Sequence, residues 1–325
     1  MRAVFLDFDS VTRGDIDRTV LSQVISPWVF HGDTDPSRLA ERIRDAEIVV
    51  TNKTMLDRAA ISAANQLKLI CVAATGYNNV DLIAAAERNI AVCNVRGYAT
   101  QSVVQHVFML MLVLIRHFID YRHLVKNGGW QASHFFCRLD YSIEELTGKT
   151  LGIIGYGELG QAVARVAEAF GMQVWIAEHK EAPASSIRPG RMPFDEVLTH
   201  SDFISLHCPL STMTHDLISQ REFGLMKPAA YLINTARGAL VNEAALLESL
   251  ENNRIAGAAI DVLQKEPPTH GHPLLAYPHP NLIVTPHVAW ASRESRQRLL
   301  GLLAENIHNF IHNKPFNQIM DAQEN

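Results

Sequence analysis

The sequence predicts an α/β protein built from two doubly wound domains. Two separate series of short apolar runs alternate with helix-patterned segments, the rhythm of parallel strands joined by crossover helices. The second series opens on a glycine-rich turn placed between a strand and a helix. A long amphipathic segment then follows the last strand with no sheet of its own to cover. At 325 residues the chain has the length of about two domains.

In chain order, the first series contributes strands at Ala3 to Leu6, Ile48 to Thr51, Leu69 to Ala73 and Ile90 to Asn94. Helical segments cover Pro36 to Ile43 and Val80 to Ala86. The opening strand runs into Asp7-Phe8-Asp9, which resembles the first motif of haloacid-dehalogenase-type phosphatases. That chemistry also needs a later Ser or Thr after a strand, a lysine and a late acidic pair. No such ordered set follows, so the two carboxylates are expected to be solvated or to cap the following turn.

A long helix is expected over Gln101 to His123. Its most apolar part, Val103 to Ile115, includes Gln105 and His106 and is shorter than the roughly 18 residues of a membrane span, so it reads as a buried helix. A loop with Gly128-Gly129-Trp130 and Phe135-Phe136-Cys137 leads to the second series. Its strands are Thr150 to Ile154, Gln173 to Ala177, Phe203 to His207, Ala230 to Asn234, Gly257 to Asp261 and Leu282 to Thr285. The last helix, about Ser292 to His312, carries Leu299, Leu300, Leu303, Ile307 and Phe310 at helical spacing. It is expected to return to the first domain. The division is therefore residues 1–100, then an inserted domain over 101–286, then 287–325, with a cleft between the lobes.

Composition excludes several classes. Twenty-nine Lys and Arg against 34 Asp and Glu leave a mildly acidic chain without a basic cluster, which argues against nucleic acid. Asp7 and Asp9 within the first ten residues argue against a signal peptide, and no membrane partner is indicated. Cys71, Cys93, Cys137 and Cys208 lack metal or redox spacing, so no metal site is expected and reduced thiols in a cytoplasmic protein are the simplest account.

The strongest local motif is Gly155-Tyr156-Gly157-Glu158-Leu159-Gly160, preceded by an apolar strand and followed by an amphipathic helix. In that setting Gly155 permits the tight turn, Gly157 lets a pyrophosphate approach the backbone, and Gly160 lets helix and strand pack closely. The helix N-terminus then faces the diphosphate charge. Glu178 ends the next strand, 23 residues after Gly155, where an acid can accept both ribose hydroxyls of NAD and repel a 2′-phosphate. The alternative is a solvated acid at a strand end. His179 and Lys180 follow directly and soften the discrimination against NADP.

Three further segments begin at strand C-terminal ends: Asn234-Thr235-Ala236-Arg237-Gly238, Asp261 through Glu266-Pro267-Pro268, and Thr285-Pro286-His287. With the Thr75-Gly76-Tyr77-Asn78-Asn79-Val80-Asp81 loop and the glycine-rich turn, they closely resemble the D-2-hydroxyacid dehydrogenase family over nearly the whole chain. The resemblance implies a Rossmann NAD-binding domain inserted in a flavodoxin-like substrate-binding domain, with the active site in the cleft. The chemistry is consistent. Reducing a 2-keto acid needs a cation to hold the carboxylate and polarise the ketone, for which the Arg237 fork is suited. The resulting alkoxide needs a proton, assigned to His287. A neighbouring carboxylate, Glu266, favours the imidazolium and fixes the ring.

The same resemblance implies that amides around Ala74, Thr75 and Gly76 receive the substrate carboxylate, which Arg237 meets from the other domain. It aims Asp261 at the nicotinamide amide and places His207, Cys208, Pro209, Thr214, Thr235, Ala236 and Ala289 along the cofactor. The chain departs from the family with Gln105 and Asn242 where Glu and Asp are frequent. Its loops look most like bacterial glycerate dehydrogenases, which interconvert hydroxypyruvate and D-glycerate, with Trp290 expected to bound a small pocket and glyoxylate a further candidate. Phosphoglycerate dehydrogenase is the nearest rival, although the chain ends at Asn325 without the regulatory tail many of those enzymes carry. NAD-sensing corepressors share the fold and are the non-enzymatic alternative. A homodimer is expected through the Val103 to Ile115 helix, as in the family.

Overall fold

Uninterrupted runs of β-branched and apolar residues become strands buried on both faces, which is the environment a parallel sheet offers. The computed structural model describes residues 1–314 and 316–319. Within it the chain divides into two compact units, Met1–Ala99 with the segment from Trp290 onward, and Thr100–Ala289.

The first unit contains β1 (Ala3–Phe5), α1 (Thr19–Ser22), β2 (Trp28–Phe30), α2 (Pro36–Ile43), β3 (Ile48–Thr51), α3 (Arg58–Ala63), β4 (Leu69–Val72), α4 (Leu82–Glu87) and β5 (Ala91–Cys93). Its five strands are parallel in the order β2-β1-β3-β4-β5. The edge strand β2 escapes the sequence pattern because it is only three residues long, half-buried and preceded by Pro27. Helices α2, α3 and α4 begin where they do because Asp35, Asp57 and Asp81 accept hydrogen bonds from Ser37, Ala60 and Ala84 amides.

Asp7 is neither solvated nor a cap for its own turn. Its carboxylate is buried and accepts amide hydrogen bonds from Asn52 at 2.8 Å, Lys53 at 2.6 Å and Thr54 at 2.8 Å. The acid at the end of β1 thus folds the loop after the neighbouring strand β3. No local pattern announces this, because the partners lie more than forty residues away.

The second unit contains α5 (Thr100–Ile115), α6 (Phe118–Lys126), β6 (Thr150–Ile154), α7 (Glu158–Ala169), β7 (Gln173–Ile176), α8 (Phe194–His200), β8 (Phe203–Leu206), α9 (Gln220–Leu225), β9 (Tyr231–Asn234), α10 (Glu243–Glu251), β10 (Gly257–Ile260), α11 (Pro273–Ala276) and β11 (Leu282–Val284). The strands form one parallel sheet in the order β11-β10-β9-β8-β6-β7. The order reverses between β6 and β8, so the turn after β6 opens at the switch point where such sheets bind ligands. Beyond β7 a single parallel bridge joins Ala177 to Met192, fastening the loop between β7 and α8 to the sheet edge.

The single helix expected over Gln101 to His123 is broken. His117 adopts φ +48°, and α5 and α6 meet at 60°. A left-handed residue cannot continue an α-helix, and no proline marks the site. Helix α5 is deeply buried along Val103, Val104, Val107, Phe108, Leu110, Met111, Leu114 and Ile115. Among the described residues no single helix is long and apolar enough to cross a membrane.

The chain then enters α12 (Arg293–Ile311), started by Ser292, whose hydroxyl accepts from the Ser295 amide. Leu299, Leu300, Leu303, Ala304 and Ile307 join Phe5, Phe8, Leu21 and Cys71 in one core on one face of the first sheet. Leu39, Ile43, Leu56, Ile61 and Ala85 cover the other face. This helix completes the double winding of the first unit.

Candidate active site

The glycine-rich turn is shaped by backbone crowding. A Cβ on Gly155, which has φ +95°, would sit 2.4 Å from the Cys208 amide nitrogen, and one on Gly160 would sit 2.1 Å from the Gly155 carbonyl oxygen. Gly157 has open space where its side chain would be and is the N-cap of α7 with no side-chain cap, so the first amides of the helix face outward from the turn. Glu158 is tied to Thr100 on α5, and Leu159 is the second residue of α7.

The neighbouring strand ends complete this rim. His207 follows β8, and its Nε2 lies 2.8 Å from the Ser205 hydroxyl. Burial pushes its pKa down to about 4, so the ring is neutral at pH 7, and burial pushes the Cys208 thiol up to about 11, which leaves it unreactive. The Thr214 hydroxyl accepts from the Ser211 amide at 2.7 Å and donates to the Pro209 carbonyl at 2.8 Å, closing the loop after β8. After β9, the Asn234 side chain accepts from the Ala236 amide at 3.0 Å and donates to the Arg237 carbonyl at 2.9 Å. The buried Thr235 hydroxyl has no partner among the described residues.

Arg237 and Glu266 arrive in the same unit through Gly238. A Cβ there would lie 2.0 Å from the Leu263 carbonyl carbon, so only glycine lets the Arg237 turn press on the backbone leading to Glu266. Glu266 Oε1 accepts from the Leu263 amide at 2.8 Å, and Oε2 lies 2.6 Å from His287 Nδ1. His287 itself has φ +55°, a conformation costly for a residue with a Cβ. Asp261 holds it there. Its carbonyl accepts from the His287 amide at 2.8 Å, and its carboxylate accepts from Val288 at 2.9 Å and Ala289 at 2.8 Å. The same carboxylate takes the Thr285 hydroxyl at 2.5 Å, and His106 Nε2 lies 3.0 Å from that hydroxyl.

Of the remaining expected positions, Ala74, Thr75 and Gly76 form the loop after β4 in the first unit. The Thr75 hydroxyl donates to the Val95 carbonyl at 3.0 Å, and the Asn94 side-chain Nδ2 donates to the Thr75 carbonyl at 2.6 Å. Trp290 meets Tyr98 edge-on, with ring centroids 6.1 Å apart. The structure therefore brings Arg237, Glu266 and His287 into one unit and leaves the 74–76 loop and Trp290 in the other.

Residues 108–289 match the family described as D-isomer specific 2-hydroxyacid dehydrogenase, NAD binding domain. The chain belongs to this family. The glycerate dehydrogenase of Methylorubrum extorquens is 44% identical over 328 residues, covering 98% of each chain. The hydroxypyruvate reductase of Blautia hydrogenotrophica is 36% identical over 322 residues, covering 98% of this chain and 99% of its own. Among solved structures, an acyclic imino acid reductase in complex with NADPH and D-Arg superposes with a TM-score of 0.84 at 29% identity, covering 98% of this chain and all of the other.

The dehydrogenase is thus an NAD-dependent oxidoreductase acting on CH–OH groups. Its turn fits the cofactor. Two glycines admit no side chain, the third leaves its space open, and the uncapped α7 amides offer donors to a diphosphate. Several supporting roles are not legible in the sequence. Asn234, His106 and Asn94 shape the loops through contacts made only in the fold, and the position of Gly238 beside Arg237 was the one legible hint. The Asn242 departure is absorbed locally, since its side chain caps α10 by accepting from the Ala245 amide at 3.0 Å, as an aspartate would. Gln105 is exposed on α5.

Proposed function

We propose that the enzyme interconverts hydroxypyruvate and D-glycerate, with glyoxylate as a second substrate, and that Arg237, Glu266 and His287 carry the reaction. The observation behind this reading is the 2.6 Å contact between His287 Nδ1 and Glu266, on a turn whose backbone is held in a left-handed conformation. The near full-length similarity to the Methylorubrum and Blautia proteins supports the substrate class.

NADH, when bound, supplies the hydride. Arg237 holds the keto-acid carboxylate and polarises the ketone. His287 donates a proton from Nε2 to the alkoxide oxygen and takes it back in the oxidative direction. Glu266 accepts from Nδ1–H, which fixes the tautomer and the orientation of the ring. Asp261 acts beneath that ring by holding the turn.

Purified enzyme is expected to oxidise NADH with hydroxypyruvate and glyoxylate far better than with phenylpyruvate. A clear preference for phenylpyruvate would sink the substrate assignment. His287→Gln is expected to lower kcat by about 10²- to 10⁴-fold, the range of a lost general acid, with NADH binding intact. NADH binding without turnover on any 2-keto acid in the wild type would point instead to a nucleotide-sensing protein.

The molecule is further proposed to be a homodimer. Burial of α5 shifts the expected interface to the segment after it, where Phe118, Trp130, Phe135, Phe136 and Leu139 are all exposed.

A further inference from the structure

The acid at the end of β7 is not an open acceptor. Glu178 is 3% exposed, and both of its oxygens are engaged. Arg188 closes on it as a fork, with Nε donating to Oε2 at 2.7 Å and Nη2 donating to Oε1. The Arg188 amide reaches Oε2 at 3.3 Å, the His179 amide donates to Oε1 at 3.0 Å, and Arg191 Nη1 lies 3.6 Å from Oε1. These donors hold the carboxyl well below the usual carboxylate range, so it stays charged.

The loop carrying both arginines is fastened to the strand. The Met192 amide donates to the Ile176 carbonyl at 2.8 Å, and the Glu178 amide donates to the Met192 carbonyl at 2.9 Å. Arg188 is consequently delivered to the strand end by backbone geometry, while its side chain keeps 50% of its surface exposed. Lys180, the other cation expected there from the sequence, is turned to Glu222 at 2.9 Å and the Leu217 carbonyl at 3.2 Å.

An acid with open lone pairs at this position favours ribose hydroxyls and repels a 2′-phosphate. Here one carboxylate faces two guanidinium groups, leaving an excess of one positive charge and outward donors suited to a phosphate. We propose that Arg188, seconded by Arg191, sets cofactor choice: it neutralises Glu178 and offers its outer N–H groups to a 2′-phosphate, so the site takes NADP(H) alongside NAD(H). This inference rests on the reading of Gly155 to Gly160 as the dinucleotide turn.

The test is direct binding of NADH and NADPH, by nucleotide fluorescence and calorimetry, to wild type, Arg188→Ala and Arg188→Lys. The wild type is expected to bind NADPH no more than tenfold more weakly than NADH. Arg188→Ala is expected to raise the NADPH-to-NADH Kd ratio at least tenfold, chiefly by weakening NADPH, and Arg188→Lys to restore most of that loss. A wild-type ratio above tenfold, or an Arg188→Ala ratio within threefold of wild type, overturns the proposal. Should Arg188→Ala not fold, titration of the wild type with adenosine 2′,5′-bisphosphate and ADP decides. Comparable binding supports the proposal, and tenfold weaker bisphosphate binding overturns it. If neither NADH nor NADPH binds the wild type, the reading of the glycine turn fails instead.

Discussion

At the residue scale, the site depends on positions whose residues cannot be exchanged without moving backbone. Gly238 is the sharpest case, because the Leu263 carbonyl carbon already occupies the space a methyl group would need. Gly238→Ala is expected to destabilise the protein by about 3 kcal/mol and to lower kcat, since Arg237 must shift with it; melting curves and turnover check both. His207 gives a pH-dependent counterpart. Its pKa in the folded state, about 4, lies below the unfolded value of about 6.5, so the unfolded chain binds the extra proton between them. Its contribution is fully present above about pH 6.5 and is lost as pH falls toward 4, amounting to on the order of 3 kcal/mol. Denaturant titrations without cofactor across that window are expected to show a shallower loss for His207→Gln. An identical slope in both proteins would contradict the assignment.

At the element scale, loops are fixed by carboxylates that belong to other segments. Asp7 ends β1 yet gathers the amides of Asn52, Lys53 and Thr54 after β3. Asp7→Asn replaces one acceptor oxygen by a donor facing these amides, and the expected cost is about 1–3 kcal/mol in the first unit, read as a lowered Tm. A stabilised variant would show that the buried charge is a net burden. Asp261 works in the same way at the His287 turn, whereas Asn94 steadies the loop at Thr75 by donating its side-chain N–H to a carbonyl. The strands, the glycine turn and the Arg-Gly, Glu-Pro-Pro and Thr-Pro-His segments were legible because each depends on local pattern. Edge strand β2, the break at His117 and the Arg188 fork were not. They follow from position in the sheet, backbone conformation and a side chain ten residues from its partner.

At the scale of the whole molecule, exposed apolar surface concentrates between α5 and β6. Phe136 is 90% exposed and Leu139 is 83% exposed, and Phe118, Trp130 and Phe135 lie in the same stretch. Isolated apolar side chains at a surface need no explanation, but a run of this density marks an interface. Sedimentation at low micromolar concentration is expected to give a dimer for the wild type and a monomer for Phe136→Asp. A wild-type monomer would show that these side chains serve another purpose.

The sequence by itself determined the α/β class, the two strand series, the dinucleotide turn and the candidate residues Arg237, Glu266 and His287. The first three depend on periodicity and on glycines that few other arrangements tolerate, and the candidate residues rest on the resemblance of their segments to the family. Only the tertiary structure decided what surrounds each charge: that Glu178 is sheathed by Arg188, that Asp7 serves a distant loop, and that Asp261 holds His287 in its left-handed turn. The physical reason is common to all three. A carboxylate in sequence looks the same whether water or a buried donor satisfies it, and only packing brings the donor.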